Sequence, residues 1–240
     1  MVREMSRFSS LSPYIASFGF IIFLFITCVD LNCFNKAFFH EEYKQMNTAS
    51  VLNLSEEDLN KSTDALLDYL KGKRDDLDVS VTIGSTVKEA FNAKEISHMA
   101  DVRSLYQAVL LIRLAAAILF LISLAYYIVD VKARRQRFLF SCCSSFLKTT
   151  GVMILFLGIL AVWAFLDFNS FWTAFHRLVF SNDLWLLDPN TDLLINLFPA
   201  EFFFKLVFRI VASFTVSMLF LSGISGGILL YHRCSKKALF

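Results

Sequence analysis

The sequence is poor in charged residues, glycine and proline. Only 18% of its 240 residues are charged and 56% are hydrophobic, including 27 Phe, whereas a soluble domain carries about 25% charged and about 45–50% apolar residues. A single soluble globular domain is therefore not expected. The 8 Gly and 3 Pro exclude collagen-like and Gly/Pro-rich proteins. The hydrophobicity excludes a disordered chain, and a net charge of +2 is too small to indicate nucleic-acid binding.

The sequence also lacks the common motifs of metal, cofactor and nucleophile sites. Its 5 Cys include no CxxC pair and no His/Cys spacing typical of zinc. There is no phosphate-binding glycine loop, no HExxH motif and no serine nucleophile elbow. We therefore expect no metal and no cofactor.

Four uninterrupted apolar stretches are long enough to cross a bilayer, which takes about 17–25 residues. They cover residues 11–29, 105–129, 149–166 and 210–231, and Arg113 is the single charged residue within them. A cleaved signal peptide is the alternative for the first stretch. Its apolar run exceeds the usual ~7–15 residues, however, and residues 28–31 do not form a small-x-small cleavage site. The sequence thus predicts four transmembrane helices, the first an uncleaved anchor.

Lys and Arg outnumber Asp and Glu in three of the five segments outside these stretches, and cytoplasmic segments carry an excess of Lys and Arg. The three segments are the N-terminus (Arg3, Arg7), the link between the second and third spans (Lys132, Arg134, Arg135, Arg137, Lys148) and the C-terminus (Arg233, Lys236, Lys237). The first intervening loop is acidic, since residues 30–103 contain 14 acids and 9 bases. We therefore predict a multi-pass cell-membrane protein with cytoplasmic N- and C-termini and two outer loops, residues 30–104 and 167–209.

The outer loops contain signals for a small folded unit. In the first loop, residues 35–43 suggest a short strand, and Ser55 caps a helix that Gly72 ends. Residues 77–83 alternate as a half-buried strand does, and residues 94–103 form the outer turns of the second span. The second loop is rich in Trp and Phe and is typical of structure lying in the membrane interface. The predicted fold is mainly α: a polytopic membrane protein with four transmembrane helices and a small α+β extracytoplasmic domain formed by both loops.

Two histidines stand at the outer ends of apolar segments, one in each loop. Imidazole exchanges protons near neutral pH, so His98 and His176 are candidates for acid–base chemistry if the spans bring them to one depth. Helical spacing places Glu95 and Asp101 beside His98. The alternative is that both histidines only satisfy interfacial backbone groups. Arg103 either snorkels or binds an anionic group.

These residues carry a resemblance to a known family. The stretch EISHMADV at 95–102, the Phe175-His176 pair and the pattern D-x-L-I-x-x-x-P at 192–199 resemble the bacterial lipoprotein intramolecular transacylases (Lit). The resemblance extends over nearly the whole chain and is least clear at residues 73–93.

The resemblance implies a membrane acyltransferase. Such enzymes move the sn-2 acyl chain of a diacylglyceryl lipoprotein to the α-amine of its N-terminal cysteine, which gives a lyso-form lipoprotein. The implied partners are diacylated lipoprotein substrates and membrane lipids, without nucleic acid. His98 and His176 are the expected catalytic residues. The expected substrate-binding residues are Glu95, Asp101, Arg103, Trp185 and Asp192.

Two alternatives are kept at this point. Cys33 could serve as a thioester nucleophile, although no base is visibly associated with it in the sequence. In a different class of function, the chain is a non-catalytic membrane protein that binds lipid or a partner protein at an outer cleft. The separation of His98 and His176 distinguishes these classes, because acid–base catalysis needs both within reach of one substrate.

Overall fold

The computed structural model describes residues 7–131 and 135–237. Its helices there are α1 (Arg7–Cys33), α2 (Lys36–Gln45), α3 (Thr48–Leu52), α4 (Glu56–Leu70), α5 (Ala93–Val131), α6 (Arg135–Leu166), α7 (Phe168–Val179), α8 (Leu193–Leu197) and α9 (Ala200–Lys237). Its strands are β1 (Ser80–Ile83) and β2 (Thr86–Glu89). Arg3, Lys132 and Arg134, on which the predicted orientation partly depends, lie outside the described residues.

Four of the helices are long and apolar enough to cross a membrane. Their candidate spans are Ser10–Cys33, Ala93–Val129, Leu139–Leu166 and Ala200–His232, and each contains one of the apolar stretches seen in the sequence. The predicted fold class is confirmed: the chain is mainly helical, and a two-stranded hairpin with short helices lies between the first and second spans. The helices extend beyond the apolar stretches because helical backbone continues into the polar turns at their ends.

The chain divides into two compact units. The first consists of the chain up to Val29, Leu110–Trp163 and the chain from Ile210 onward. Its buried core contains Ile21, Cys28, Phe214 and Met218. Many of its apolar side chains are instead exposed, as a helix surface facing lipid requires, among them Leu111, Leu121, Ile122, Leu155, Ile159, Leu219 and Phe220.

Gly19 permits a close contact between α1 and α5 in this unit. A Cβ atom on Gly19 would lie 2.8 Å from the Ala116 carbonyl oxygen and 3.1 Å from the Phe120 backbone nitrogen. These are backbone atoms of α5, so they cannot move aside as a side chain can. Small residues allow such close approach between membrane helices.

We therefore expect Gly19→Ala to lower the melting temperature of the detergent-solubilised protein. Overpacking of this kind costs about 1–3 kcal/mol. Gly158→Ala is the matched control, because its Cβ would meet nothing within 4 Å, and alanine favours the helix over glycine. Equal melting temperatures for the two variants would show that α1 and α5 separate without cost.

The second unit consists of Asp30–Val109 and Ala164–Arg209. The strand suggested for residues 35–43 is wrong, because α2 occupies this segment. The Asn35 side chain accepts a hydrogen bond from the Phe38 backbone N–H at 3.2 Å and caps the helix. Phe38, Phe39 and Tyr43 are buried at helical spacing. The mixed aromatic and charged residues suggest a strand, but the i, i+4 spacing of Phe39 and Tyr43 fits one helix face.

The helix and hairpin that follow agree better with the sequence. Ser55 accepts a hydrogen bond from the Asp58 N–H at 3.0 Å and begins α4, and Gly72 follows its end with φ +73°. The strand is shorter than predicted, since β1 covers only Ser80–Ile83. It pairs with β2 in antiparallel register, with Ile83 opposite Thr86. The regular strand begins at Ser80, but the Ala90 N–H still donates to the Val79 carbonyl oxygen at 2.7 Å, and Leu77 and Val79 are buried.

An aromatic cluster holds α2 against the start of α9 in this unit. Phe202 is fully buried, and its ring lies 5.1 Å from Phe39 and 5.7 Å from Tyr43 between centroids. The next residue, Phe203, extends the cluster to α7, where its ring centroid lies 4.3 Å from that of Trp172. This packing fixes the position of α7, which carries His176.

Candidate active site

The first turn of α5 is built around a reciprocal cap. The Asn92 side-chain oxygen accepts hydrogen bonds from the backbone N–H groups of Lys94 (2.9 Å) and Glu95 (3.0 Å). Oε2 of Glu95 accepts in return from the Asn92 N–H at 2.7 Å. This Asn-x-x-Glu arrangement satisfies backbone donors that a helix start leaves unpaired. It fixes the helix three residues before His98.

Glu95 also fastens the second outer loop. Its side chain is only 1% exposed, and Oε1 accepts a hydrogen bond from the Leu194 N–H at 2.6 Å. Both carboxylate oxygens are therefore used by backbone donors, one on the residue just before α5 and one at the start of α8. Burial raises the pKa of the Glu95 carboxyl, against the opposing effect of these two backbone hydrogen bonds.

Asp192 forms the second polar connection between the same segments. It is 4% exposed and accepts hydrogen bonds from the Asp188 N–H and the Asn92 side-chain amide, both at 2.8 Å. Burial by itself raises the pKa of Asp192, but the hydrogen bonds that it accepts outweigh this effect and lower the pKa. Asp192 is thus a carboxylate at neutral pH.

Two further contacts tie the loop to α5. Oδ2 of Asp101 accepts from the Asn182 side-chain amide at 2.9 Å, and Nζ of Lys94 donates to the Leu186 carbonyl oxygen. The loop that follows α7 is therefore held at both ends and in the middle. Asn92, Glu95, His98 and Asp101 follow one another at intervals of three residues. Within the described residues, His98 is the one of these four whose side chain forms no hydrogen bond to the second loop.

His176 lies on the inner side of α7, which Asp167 caps by accepting a hydrogen bond from the Ser170 N–H at 3.0 Å. It is 6% exposed. Its Nδ1 lies 2.8 Å from the Trp172 carbonyl oxygen. A carbonyl oxygen only accepts, so Nδ1 donates and the lone pair of the neutral ring is on Nε2. Burial lowers the pKa of His176 below 6.5, against the opposing effect of this hydrogen bond, so the ring is neutral at pH 7.

The structure brings the two imidazoles together. Their ring centroids lie 6.2 Å apart, and Phe180 packs at 5.3 Å from His98 and 5.7 Å from His176. His98 is also 6% exposed, and its Nδ1 is shielded from solvent with no hydrogen-bond partner among the described residues. A buried N–H without a partner is rarer than a buried acceptor without one. This favours the tautomer of His98 with its proton on Nε2.

Of the two remaining predicted residues, Trp185 lies beside the imidazoles and Arg103 lies against α4. The Trp185 ring lies 4.9 Å from that of His176. Arg103 lies elsewhere: its guanidinium lies over the Tyr69 ring of α4 at 4.7 Å, donates to the Arg74 carbonyl oxygen at 3.3 Å and lies 3.7 Å from Asp75.

Sequence reasoning missed three residues of the site. They are Asn92, Trp172 and Phe180, none of which bears a titratable group. Asn92 could have been found as the Asn of a capping pair with Glu95, and Trp172 as the residue one turn before His176. Nothing in the sequence marks Phe180, which adjoins both imidazoles only because of how the loop folds.

Over residues 7–131 and 135–237, no group of three or more His, Cys, Asp or Glu side chains could hold a metal ion. Cys33 is a free thiol at the last residue of α1. None of the described residues hydrogen-bonds to it, so no base is positioned to activate it.

Comparison with known proteins identifies the family. Residues 14–203 match the family model of the lipoprotein intramolecular transacylase Lit. No curated protein matches the sequence. The solved structure of the integral-membrane lipoprotein intramolecular transacylase Lit from Bacillus cereus is similar, with a TM-score of 0.71 at 20% identity over 96% of this chain and 98% of that one.

Two variants of the Bacillus cereus enzyme are also similar in structure. In one a histidine is replaced by arginine and in the other by alanine, and both have a TM-score of 0.64 at 20% identity. They cover 96% and 97% of this chain and 94% and 96% of their own. At 20% identity these structures establish the fold alone. The family is established by the family model, which matches most of the sequence. The chain therefore belongs to the lipoprotein intramolecular transacylase family and is a multi-pass integral-membrane acyltransferase.

Proposed function

We propose that the enzyme transfers the sn-2 acyl chain of a diacylglyceryl lipoprotein to the α-amine of the lipoprotein's N-terminal cysteine. The observation that supports this most is the pair of buried imidazoles with ring centroids 6.2 Å apart, in a family whose members act on lipoproteins. Amine and ester belong to one substrate, so the enzyme has only to bend them together and move protons. The same proximity favours catalysis over the non-catalytic binding alternative.

The two histidines take complementary roles in this proposal. The amine attacks the ester carbonyl carbon, and Nε2 of His176 accepts the amine proton. The new C–N bond forms while Nε2–H of His98 donates a hydrogen bond to the ester oxygen on which negative charge develops. The bond to the glycerol oxygen then breaks, and the imidazolium of His176 gives the amine's proton to that oxygen. The products are an amide and a free sn-2 hydroxyl, and both rings are neutral again without an acyl-enzyme.

Among the expected substrate-binding residues, the contacts support different roles. Trp185 keeps the proposed substrate contact because its ring adjoins His176. Glu95 and Asp192 are engaged by backbone and amide donors, so we assign them to positioning of the loop. Asp101 is assigned with them through its bond to Asn182. Arg103, which packs on Tyr69, is proposed as a structural cation.

The direct test is co-expression with a model diacylated lipoprotein, followed by mass spectrometry of its N-terminal peptide. We expect a product of unchanged mass in which one acyl chain has become amide-linked, so that mild alkali removes one fatty acid rather than two. A control strain carrying the His98→Ala/His176→Ala variant should leave both ester-linked chains on the glycerol. An unchanged lipoprotein in the presence of the wild-type enzyme would refute the proposed reaction.

We also propose that both termini are cytoplasmic. Single cysteines at Asp75 and Asn190, in a background without the five native cysteines, should react with a membrane-impermeant maleimide added to intact cells, since both positions are exposed. A cysteine at Gln136 should react only after the cells are opened, because the basic segment around it is predicted to be cytoplasmic. Labelling of Gln136 in intact cells would reverse the orientation.

A further inference from the structure

Helix α7 has three chemically different sides. His176 and Trp172, at i and i−4, face the interior of the unit. Phe171, Phe175 and Leu178, at i, i+4 and i+7, form an apolar edge on which Leu178 is 86% exposed. The third side carries Ser170, Thr173 and Arg177 at i, i+3 and i+7. Successive helix positions differ by about 100°, so these sets occupy separate sectors.

We propose that the apolar edge of α7, formed by Phe171, Phe175 and Leu178, is inserted into the outer leaflet of the membrane. At 12 residues the helix is about 18 Å long, too short to cross the hydrocarbon core of about 30 Å. A strongly amphipathic helix of this length lies in the interface, with its apolar side about 5–10 Å below the headgroups.

The position of α7 in the chain, directly after α6, supports its insertion into the membrane. Only Asp167 separates α7 from the end of α6, whose last residues Phe165 and Leu166 are themselves exposed apolar side chains. Arg177 is exposed and forms no ion pair in the part of the chain that the structure describes. Beside an apolar edge, such a cation can reach lipid phosphates. A protein partner fits poorly, because three side chains of one short helix fall far short of the about 800 Å² per partner that stable interfaces bury.

The depth of α7 in the membrane determines the depth of the His176 imidazole, and the importance of that depth for the reaction rests on the proposed function. His176 is on the same helix as the inserted edge, about half a turn from Leu178. Insertion to the boundary between headgroups and acyl chains therefore holds its imidazole at the level of the lipid ester groups. The substrate's sn-2 ester then reaches His176 without leaving the membrane.

Two fluorescent positions on α7 test the insertion without using the reaction. A cysteine at Leu178 or at Ser170 is labelled with an environment-sensitive NBD dye in the otherwise cysteine-free full-length enzyme, reconstituted into phosphatidylglycerol-containing vesicles. We expect doxyl-labelled lipid to quench the dye at 178 and aqueous iodide to quench it at 170. Equal iodide quenching at both positions overturns the proposal. Protection at 178 without doxyl quenching does so too, since it indicates a protein neighbour.

Substitutions at the same two positions test the consequence for activity. Leu178→Glu should reduce transacylation by about tenfold or more, since it places a carboxylate in the apolar boundary, whereas Leu178→Phe and Ser170→Glu should remain near wild type. If lipid quenches the dye in the Leu178→Cys enzyme but the separate Leu178→Glu variant transfers acyl chains normally, the depth of the helix does not control catalysis and this step is refuted. Lipid quenching in an enzyme that transfers no acyl group would instead leave the insertion standing and refute the proposed function.

Discussion

Replacing His176 by alanine should lower transacylation by roughly 10²–10⁴-fold, the contribution of a positioned acid–base group. The reason lies in the fixed tautomer. The Trp172 carbonyl oxygen binds Nδ1 at 2.8 Å, which leaves Nε2 as the basic nitrogen of this ring. The rate is measured from the amide-linked product in vesicles containing purified enzyme and a diacylated peptide.

His98→Ala should cause a loss of similar size, and the double variant should be little worse than either single one. Groups that act on one transition state are strongly non-additive, because the proton transfer by His176 and the hydrogen bond from His98 serve the same bond-making and bond-breaking step. Multiplicative losses would instead mean that the two rings act in independent steps.

His40→Ala is the matched control for these variants. It is also a partly buried histidine of the same unit, but its Nε2 lies 3.0 Å from Asp64 on α4 and no part of it belongs to the imidazole pair. It should retain near-wild-type activity. A comparable loss in His40→Ala would show that the losses in the other two variants do not report acid–base chemistry.

The pH dependence follows from the lowered pKa of His176. Burial disfavours the imidazolium, so the base form predominates at pH 7 and is lost as the pH falls through a value below 6.5. After correction for ionisation of the substrate amine, which has a pKa of about 7.7–8.0, the acid-side decrease in rate should be centred below pH 6.5. An enzyme-dependent decrease centred above pH 6.5 would contradict this assignment of the base.

The sequence and the structure agree where the signal is local. A run of apolar residues specifies a membrane helix by itself, and Ser55 specifies a helix start through atoms three residues away. The exception is residues 35–43, where the strand interpretation gave weight to the aromatic side chains and missed the cap formed by Asn35.

The geometry of the site is not local and could not be derived in the same way. Asn92 and Asp192 are 100 positions apart in the sequence, and Glu95 and Leu194 are 99 apart. No periodicity connects such residues. The sequence could nominate His98 and His176 by chemistry, but it gave Glu95 and Asp192 a substrate-binding role because a carboxylate's hydrogen-bond partners are invisible until the loop is placed.

Glu95→Gln should lower the rate by about 10–100-fold although the residue is not proposed to touch the substrate. The carboxylate accepts from the Asn92 and Leu194 N–H groups at 2.7 and 2.6 Å. A glutamine has one acceptor oxygen, so its NH₂ group must face one of these donors. Loss of a hydrogen bond to a buried charged group costs about 1.5–3 kcal/mol, which releases α8 or the first turn of α5 and displaces the segment that carries Trp185. Glu57→Gln is the control, because Glu57 is exposed on α4 and should tolerate the change.

A positioning role and a substrate-binding role for Glu95 predict different changes in kcat, in KM and in the proteolysis of the loop. If Glu95 fastens the loop, Glu95→Gln should reduce kcat more than it raises KM, and limited proteolysis in vesicles should cut residues 182–194 faster than in wild type. Glu95→Asp should be intermediate, since its shorter side chain reaches one of the two N–H groups at a time. If Glu95 instead binds the substrate ammonium, KM should rise, Asp should not restore it, and the loop should stay protected. The rise in proteolysis decides between them, because it reports the loop itself in the absence of any substrate.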